Sequence, residues 1–290
     1  MGVPSEWLES ARRDRGAALM GVLNVTPDSF YDGGRYATEA AQRAQIDRML
    51  AEGASIIDIG AESSRPGADA IPATVQLDRM AAALGHAVSR GALVSVDTTS
   101  PEVAARALEL GARIVNDVSC LADVELARVT ARAGATLLVM HARGPMSAQA
   151  GFSQYPDGGY GDVVEDVLRE WRAARERAVA AGLPPGDVWL DPGLGFAKNA
   201  RQSFELLARL AELTREGAPV VVGASRKSFI ASLDDSAPAD RLGGSIAAGL
   251  VAVERGASVL RVHDVLAQRQ ALDVVRRARP PRASAEAIHA

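Results

Sequence analysis

The chain's 290 residues suffice for one large α/β domain, or two ordinary ones, with a substantial core. Its one cysteine, Cys120, excludes an intrachain disulfide framework and a thiolate metal cluster, and reads most simply as a reducing compartment, the cytoplasm. A net charge of −4 excludes the broad basic footprint of a nucleic-acid binder, so an anionic ligand must be met by local positive charge.

No apolar run reaches the roughly 18 residues that would suggest a membrane span. The charged segment from Met1 to Gly16 lacks the apolar core of a signal peptide and reads as an N-terminal extension. Gly2 fits no acylation signal, because Glu6 stands where Ser or Thr is needed. From Ala17 onward, short β-branched runs alternate with longer helical patterns. The strands are expected at Ala17 to Leu23, Ser55 to Ile59, Leu93 to Val96, Arg113 to Val115, Ala135 to Met140, Val188 to Leu190, Pro219 to Gly223 and Ser258 to Leu260. Helical spacing falls on Glu39 to Glu52, Thr74 to Ser89, Pro101 to Leu110, Val124 to Ala133, Val163 to Ala181 and Arg201 to Arg215. Several helices run into Gly-Ala or Gly-Leu, at Gly53, Gly111, Gly134, Gly182 and Gly256, where glycine suits the left-handed residue that closes a helix.

Eight such units without a midpoint linker predict a single α/β domain over 17–279, a (β/α)₈ TIM barrel. The tail from Pro280 to Ala290 is expected to be frayed. The longest interruptions, Asn24 to Thr38, Glu62 to Ala73 and Ala142 to Gly161, directly follow strands, where barrel enzymes keep their active-site loops.

In a barrel the carboxyl ends of the strands converge on one mouth. Here they carry Asn24, Asp58 with Glu62, Asp97, Asn116 with Asp117, His141, Asp191, Ser225 to Lys227, and Arg261 with His263. A single polar strand end is commonplace; a complete series is not. Asp97, Asn116 and Asp191 suit a flat heterocycle with several N–H donors, since a carboxylate accepts parallel hydrogen bonds from an amidine-like edge. Lys227, Arg261 and His263 come from the last two strands and form an anion clamp. Helix capping is the bland alternative for Asp97 and Asp191, which precede Ser100-Pro101 and Pro192. Only two basic residues are lysines, Lys198 and Lys227, and both follow strands in short polar motifs, which suggests chemistry. The four histidines show no zinc spacing, and no Walker loop, GxGxxG or nucleophile elbow is present.

These motifs together resemble the dihydropteroate synthase family over nearly the whole chain. The segments are Gly21 to Phe30 with Asp32-Gly33-Gly34, Glu62 to Gly67, Ser95 to Thr98, Asn116 to Ser119, Met140-His141, Asp191 to Phe196, Ser225 to Ser228 and Arg261 to Asp264. The resemblance implies condensation of 6-hydroxymethyl-7,8-dihydropterin diphosphate with p-aminobenzoate to give 7,8-dihydropteroate and pyrophosphate. By motif match, Asp97, Asn116, Asp191 and Lys227 would hold the pterin, and Arg261 and His263 the diphosphate. Asn24 would help hold a Mg²⁺ on it, a hard cation suited to oxygen ligands. Ser64, Arg65, Pro66, Phe196, Lys227 and Ser228 would surround p-aminobenzoate, with a helix starting near Ser228 presenting N–H groups to its carboxylate. Asp97, Lys227, Arg261 and His263 would carry the catalysis.

The same resemblance implies sulfonamides as competitors and a homodimer, while nucleic-acid and membrane partners are not expected. The chain departs from the family at Ala61, Ser64, Cys120 and Ala142, none of them a proposed catalytic group. A corrinoid-dependent pterin methyltransferase would share the pterin readers but leave the clamp unexplained; a silent barrel would have lost one set or the other. The first two loops carry Gly33-Gly34 and Pro66-Gly67 and are expected to order on diphosphate binding.

Overall fold

The structure, a computed structural model, describes residues 2–26, 38–62, 71–144, 151 and 153–278. The calls on the glycine-bearing first loop, on Ser64, Arg65, Pro66 and on the tail lie outside the described residues.

Helix α1 (Ser5–Arg15) precedes eight strand–helix units. These are β1 (Ala18–Asn24) with α2 (Glu39–Glu52), β2 (Ile56–Gly60) with α3 (Ala73–Ser89), β3 (Leu93–Asp97) with α4 (Pro101–Glu109), and β4 (Ile114–Asp117) with α5 (Val124–Arg132). The second half has β5 (Thr136–Met140) with α6 (Val163–Ala180), β6 (Val188–Asp191) with α7 (Ala200–Ala208) and α8 (Leu210–Thr214), β7 (Val221–Val222) with α9 (Ser228–Ala231) and α10 (Leu242–Glu254), and β8 (Val259–Val262) with α11 (Val265–Ala278). All strand pairs are parallel, in the order β6-β5-β4-β3-β2-β1-β8-β7. A parallel bridge between Leu190 of β6 and Val220, the residue just before β7, closes the barrel. The predicted (β/α)₈ barrel is the fold observed.

Parallel strands covered on both faces must be apolar on both, and the strands are buried throughout almost their whole length. Outward residues such as Ile57, Val94, Val115, Leu137 and Leu190 meet the helices in one core. Inward residues Met20, Ile56, Ile114, Leu138, Trp189, Val221 and Val259 form a second cluster inside the barrel, which Val3 and, from α1, Trp7 and Leu8 cover. The backbone N–H of Val3 donates to Thr136 Oγ1 at 2.9 Å, fixing the chain across the amino end of the barrel.

Local chemistry explains the helix boundaries. Thr38, Ser100, Asp123 and Asp162 accept bonds from first-turn N–H groups, and Asn199 forms a reciprocal capping box with Gln202. The five glycines read as helix closers all take positive φ, from 59° at Gly134 to 112° at Gly111.

Two expectations differ from the structure. The helix foreseen over Arg201 to Arg215 breaks at Arg209, whose guanidinium binds Glu205, Glu212 and Asp162. Two of these pairs are local, and the third ties the break to the residue that caps α6. The seventh strand shortens to Val221–Val222, because Val220 pairs with Leu190 by a single bridge only. Among the described residues no helix is long and apolar enough to cross a membrane.

Candidate active site

Strand periodicity aims every second residue into the barrel, and register sets the depth at which each emerges. Asn24 pairs with Gly60, Gly60 with Asp97 and Asp97 with Asn116, so these four strand ends form one tier around the mouth. A Cβ on Gly60 would stand 3.2 Å from that of Asp97 and 3.7 Å from Asn24 Oδ1, so glycine is what lets those two side chains approach over β2.

Arg261 is the hub. Its Nε donates to Asp58 Oδ2 at 2.7 Å and its Nη2 to Asp97 Oδ2 at 2.8 Å, while Asn116 Nδ2 donates to the same Asp58 oxygen at 3.3 Å. Burial works against the Arg261 charge, but Asp58 and Asp97 outweigh it and raise the guanidinium above its ordinary value. Burial pushes Asp97 up to about 7, with Arg261 opposing and Asp58, Asp117 and Glu62 adding to the rise. Capping does not account for Asp97, since Ser100 caps α4 instead.

On the opposite side Asp191 Oδ1 accepts the Gly193 N–H at 2.7 Å, so this carboxylate also shapes its own turn. Burial raises its pKa against the pull of Lys227. Lys227 Nζ donates to Leu194 O at 2.6 Å and lies 4.2 Å from the centre of the Phe196 ring. Burial brings it down to about 8, with Asp191 and Asp97 resisting. Phe196, Met140 and Ala142 form a small buried apolar wall at the ends of β5 and β6, with Val118 against it.

His263 accompanies Arg261 on β8's exit. Its N–H and its Nδ1 both meet Ser225 Oγ, at 3.2 and 3.1 Å. Burial, then the charges of Arg261 and Arg226, lower its pKa to about 3, so the imidazole is neutral near pH 7. The adjoining Arg226 makes a two-pronged pair with Asp264, at 2.9 and 2.6 Å. The motifs Ser225 to Ser228 and Arg261 to Asp264 thus interlock residue by residue, a role that the sequence reading did not give to Ser225, Arg226 or Asp264.

Other strand-end residues turn out to be supports. Asp117 accepts from Ser119 and Leu121 and ties its own turn. Glu62 Oε1 accepts the Ile71 N–H at 3.0 Å, which staples the two ends of the second loop. Lys198, singled out above as a candidate for chemistry, is fully buried and turned inward. Its Nζ reaches His141 Nδ1 at 2.9 Å, Phe196 O at 3.0 Å and His141 O at 3.3 Å. The other imidazole nitrogen, Nε2, meets Glu170 Oε2 at 2.9 Å, and Arg143 holds Glu170 in turn. Burial and Lys198 lower His141 to about 4. Burial alone would raise Glu170, but bonds from His141 and Arg143 hold it well below the usual carboxylate range.

Helix α9 is a single turn, and the Ser228 hydroxyl bonds to Ser153 Oγ at 2.8 Å. So short a helix adds little dipole to the N–H groups it presents. Asn24 offers one amide oxygen, and no group of three His, Cys, Asp or Glu capable of holding a metal occurs among the described residues. That donor set fits a cation that keeps water and phosphate oxygens as its main ligands, as Mg²⁺ does, and does not fit an all-protein cage.

A family model described as pterin binding enzyme matches residues 20–263. Dihydropteroate synthase of Mycobacterium leprae is 43% identical over 266 residues, 89% of this chain and 92% of its own length. A crystal structure of the Yersinia pestis dihydropteroate synthase with a sulfonamide drug aligns at TM-score 0.84 and 36% identity, over 90% of this chain and 93% of that one. The Xanthomonas albilineans dihydropteroate synthase with 4-aminobenzoic acid aligns at TM-score 0.82 and 39% identity, over 91% and 94%. With the match running from β1 to His263, the chain belongs to the pterin-binding enzyme family, grouped there with the dihydropteroate synthases.

Proposed function

We infer that this chain condenses 6-hydroxymethyl-7,8-dihydropterin diphosphate with p-aminobenzoate, giving 7,8-dihydropteroate and pyrophosphate. The observation that carries the reading is the single mouth in which Asp97, Asn116, Asp191 and Lys227 meet Arg261 and His263 beside the Phe196 wall. The carboxylates and amide offer acceptors to the pterin's N–H edge, Arg261 and His263 offer donors to the diphosphate, and Phe196, Lys227 and Ser228 border the space for the aryl acid. Ser64, Arg65 and Pro66 complete that space in this reading.

The chemistry follows from the leaving group. The C–O bond to diphosphate breaks with its electron pair going to the departing oxygen, which leaves a cation on the pterin methylene and ring. The aryl amine nitrogen then forms the C–N bond and releases one proton to pyrophosphate or water. No covalent nucleophile is needed; the protein holds geometry and opposes each developing charge. Arg261, with a neutral His263 donating, meets the growing anion. Asp97, already paired with Arg261, faces the growing cation as the leaving group takes its place on that guanidinium. Mg²⁺, held through Asn24, would supply further positive charge to the diphosphate.

The test is pyrophosphate release, with and without p-aminobenzoate and with Mg²⁺ or a chelator, from the native chain, Lys227→Ala and Asp97→Asn. Amine-dependent release is expected only in the native chain with Mg²⁺, with either variant slower by about a hundredfold or more. Sustained turnover at the same rate with and without the amine, or a fully active Lys227→Ala, refutes the reading; a fully active Asp97→Asn refutes its electrostatic role; full release under chelator refutes the metal. Sulfonamides are expected to compete with p-aminobenzoate in the same assay. The reading also places the chain in the cytoplasm, on the strength of its lone Cys120, and as a homodimer. Exposed Leu266 and Val274 on α11 and Leu242 on α10 support such a face, and a monomer by sedimentation would overturn it.

A further inference from the structure

Asp58 is fully buried and lies one inward step below Gly60, the register partner of Asp97. It therefore sits beneath the tier that faces the mouth. Its Oδ2 takes both the Arg261 Nε bond, at 2.7 Å, and the Asn116 amide bond, at 3.3 Å. Its Oδ1 has no hydrogen-bond partner among the described residues, and neither has Ser95 Oγ, opposite it in register on β3. A buried carboxylate so incompletely satisfied is expensive unless a cation is held against it, and Arg261 is that cation.

Consider what the bond does for the guanidinium. The group is a planar fork, so anchoring Nε on a fixed carboxylate orients the whole plane and both Nη atoms. In this state one Nη is occupied by Asp97. Diphosphate can take that N–H only if Asp97 lets go. Were Asp97 the only anchor, the release would also free Arg261 to swing. With Asp58 below, it does not. The same oxygen also sets Asn116: a carboxylate accepts only, so the amide must present its NH₂ there and turn its carbonyl away.

We propose that Asp58 is a positioning residue shared by the two halves of the site, keeping Arg261 and Asn116 in place while Arg261 exchanges Asp97 for the diphosphate. The proposal rests on the condensation reading above and adds to it a residue beneath the substrate tier. Because Asn in place of Asp58 retains an oxygen for the Asn116 amide but loses the charge that holds Arg261, the two halves respond differently to it.

The experiment is calorimetric binding of 6-hydroxymethyl-7,8-dihydropterin diphosphate, and of the same pterin alcohol without diphosphate, to the full native chain, Asp58→Asn, Arg261→Ala and the double variant. The native chain is expected to prefer the diphosphate. Asp58→Asn should lose about tenfold or more of that preference, as for a lost charge-assisted hydrogen bond, while alcohol affinity stays within about threefold. Arg261→Ala should lose most of the preference, leaving what His263 supplies, and the double variant should match it within about twofold, since residues acting through one another are not additive. An Asp58→Asn protein with native preference, or a double variant far weaker than Arg261→Ala, overturns the proposal. If Asp58→Asn is recovered unfolded, thermal unfolding decides. With Arg261 gone, Asp58 is an unpaired buried charge, so the double variant should melt above Arg261→Ala, and an equal or lower midpoint overturns the coupling. A native chain that binds both pterins equally would instead sink the condensation reading itself.

Discussion

One step along the same inward rows separates the most apolar interior of this barrel from its most charged. On β2, Ile56 is followed on that face by Asp58; on β4, Ile114 by Asn116; on β6, Trp189 by Asp191; on β8, Val259 by Arg261. The distance is two strand residues, roughly 6.6 Å. Below it the side chains exclude water and hold the barrel together. Above it Asp58, Asn116, Asp191 and Arg261 are each engaged with a charged group or an amide. A strand of period two can make so abrupt a change without altering its backbone, which is how a barrel keeps its stability at one end and its reaction at the other.

Substitutions at the two levels should therefore fail in different ways. The largest effect belongs below: Leu138→Ala, fully buried in the interior cluster, should destabilise the fold by about 2–5 kcal/mol in a denaturant titration while the folded fraction keeps native specific activity. A loss of activity larger than the loss of folded protein would show that the levels are not separable. Above the step, Gly193→Ala would place a Cβ 2.0 Å from the carbonyl oxygen of His141 at a residue whose φ is +67°. The turn bearing Asp191 and Phe196 must then shift, and turnover should fall by about a hundredfold with the melting temperature changed far less. Native turnover in that variant would mean the turn tolerates displacement.

The smallest effect concerns the support behind the wall. The fold lowers His141 from its ordinary 6.5 to about 4, so between these values the unfolded chain binds the proton and the folded one resists it. The stability this provides is complete above pH 6.5 and is lost as pH falls toward 4. Between pH 6.5 and 4.5 the native chain should lose about 2 kcal/mol more than His141→Gln, measured as the difference between their urea titrations. Asp97, raised to about 7, acts in the opposite direction but is common to both proteins and drops out of the difference. Parallel pH curves would place the imidazole in a less shielded position than the structure gives it.

How legible all this is in the sequence depends on the range of the interaction. Strand–helix alternation and the glycine closers are local, and the barrel can be read from them. The mouth residues Asn24, Asp97, Asn116, Asp191, Lys227, Arg261 and His263 are also legible, because strand ends in a barrel must converge. Pairing is not legible. That Asp58 rather than Asp97 takes Arg261 Nε depends on register between strands more than two hundred positions apart. Lys198 misled for the same reason: a polar motif after a strand looks alike whether its lysine enters the mouth or turns beneath it, and only the fold places His141 under this one. The break at Arg209 comes where its side chain pairs with Asp162, the cap of α6, a contact helical spacing cannot reveal.

The scarcity of lysine has a practical side. Arg outnumbers Lys so heavily that the chain has only two side-chain amines, and one of them, Lys198, is fully enclosed. An amine-directed reagent such as an activated ester therefore has a single side-chain target open to it, the ammonium of Lys227 in the substrate mouth, whose lowered pKa of about 8 leaves a fraction of it nucleophilic at neutral pH. On the proposed reading, tagging or surface coupling through lysine, harmless to most enzymes of this size, would act as an affinity label without any affinity group, blocked by bound pterin and silencing the molecule with one covalent event.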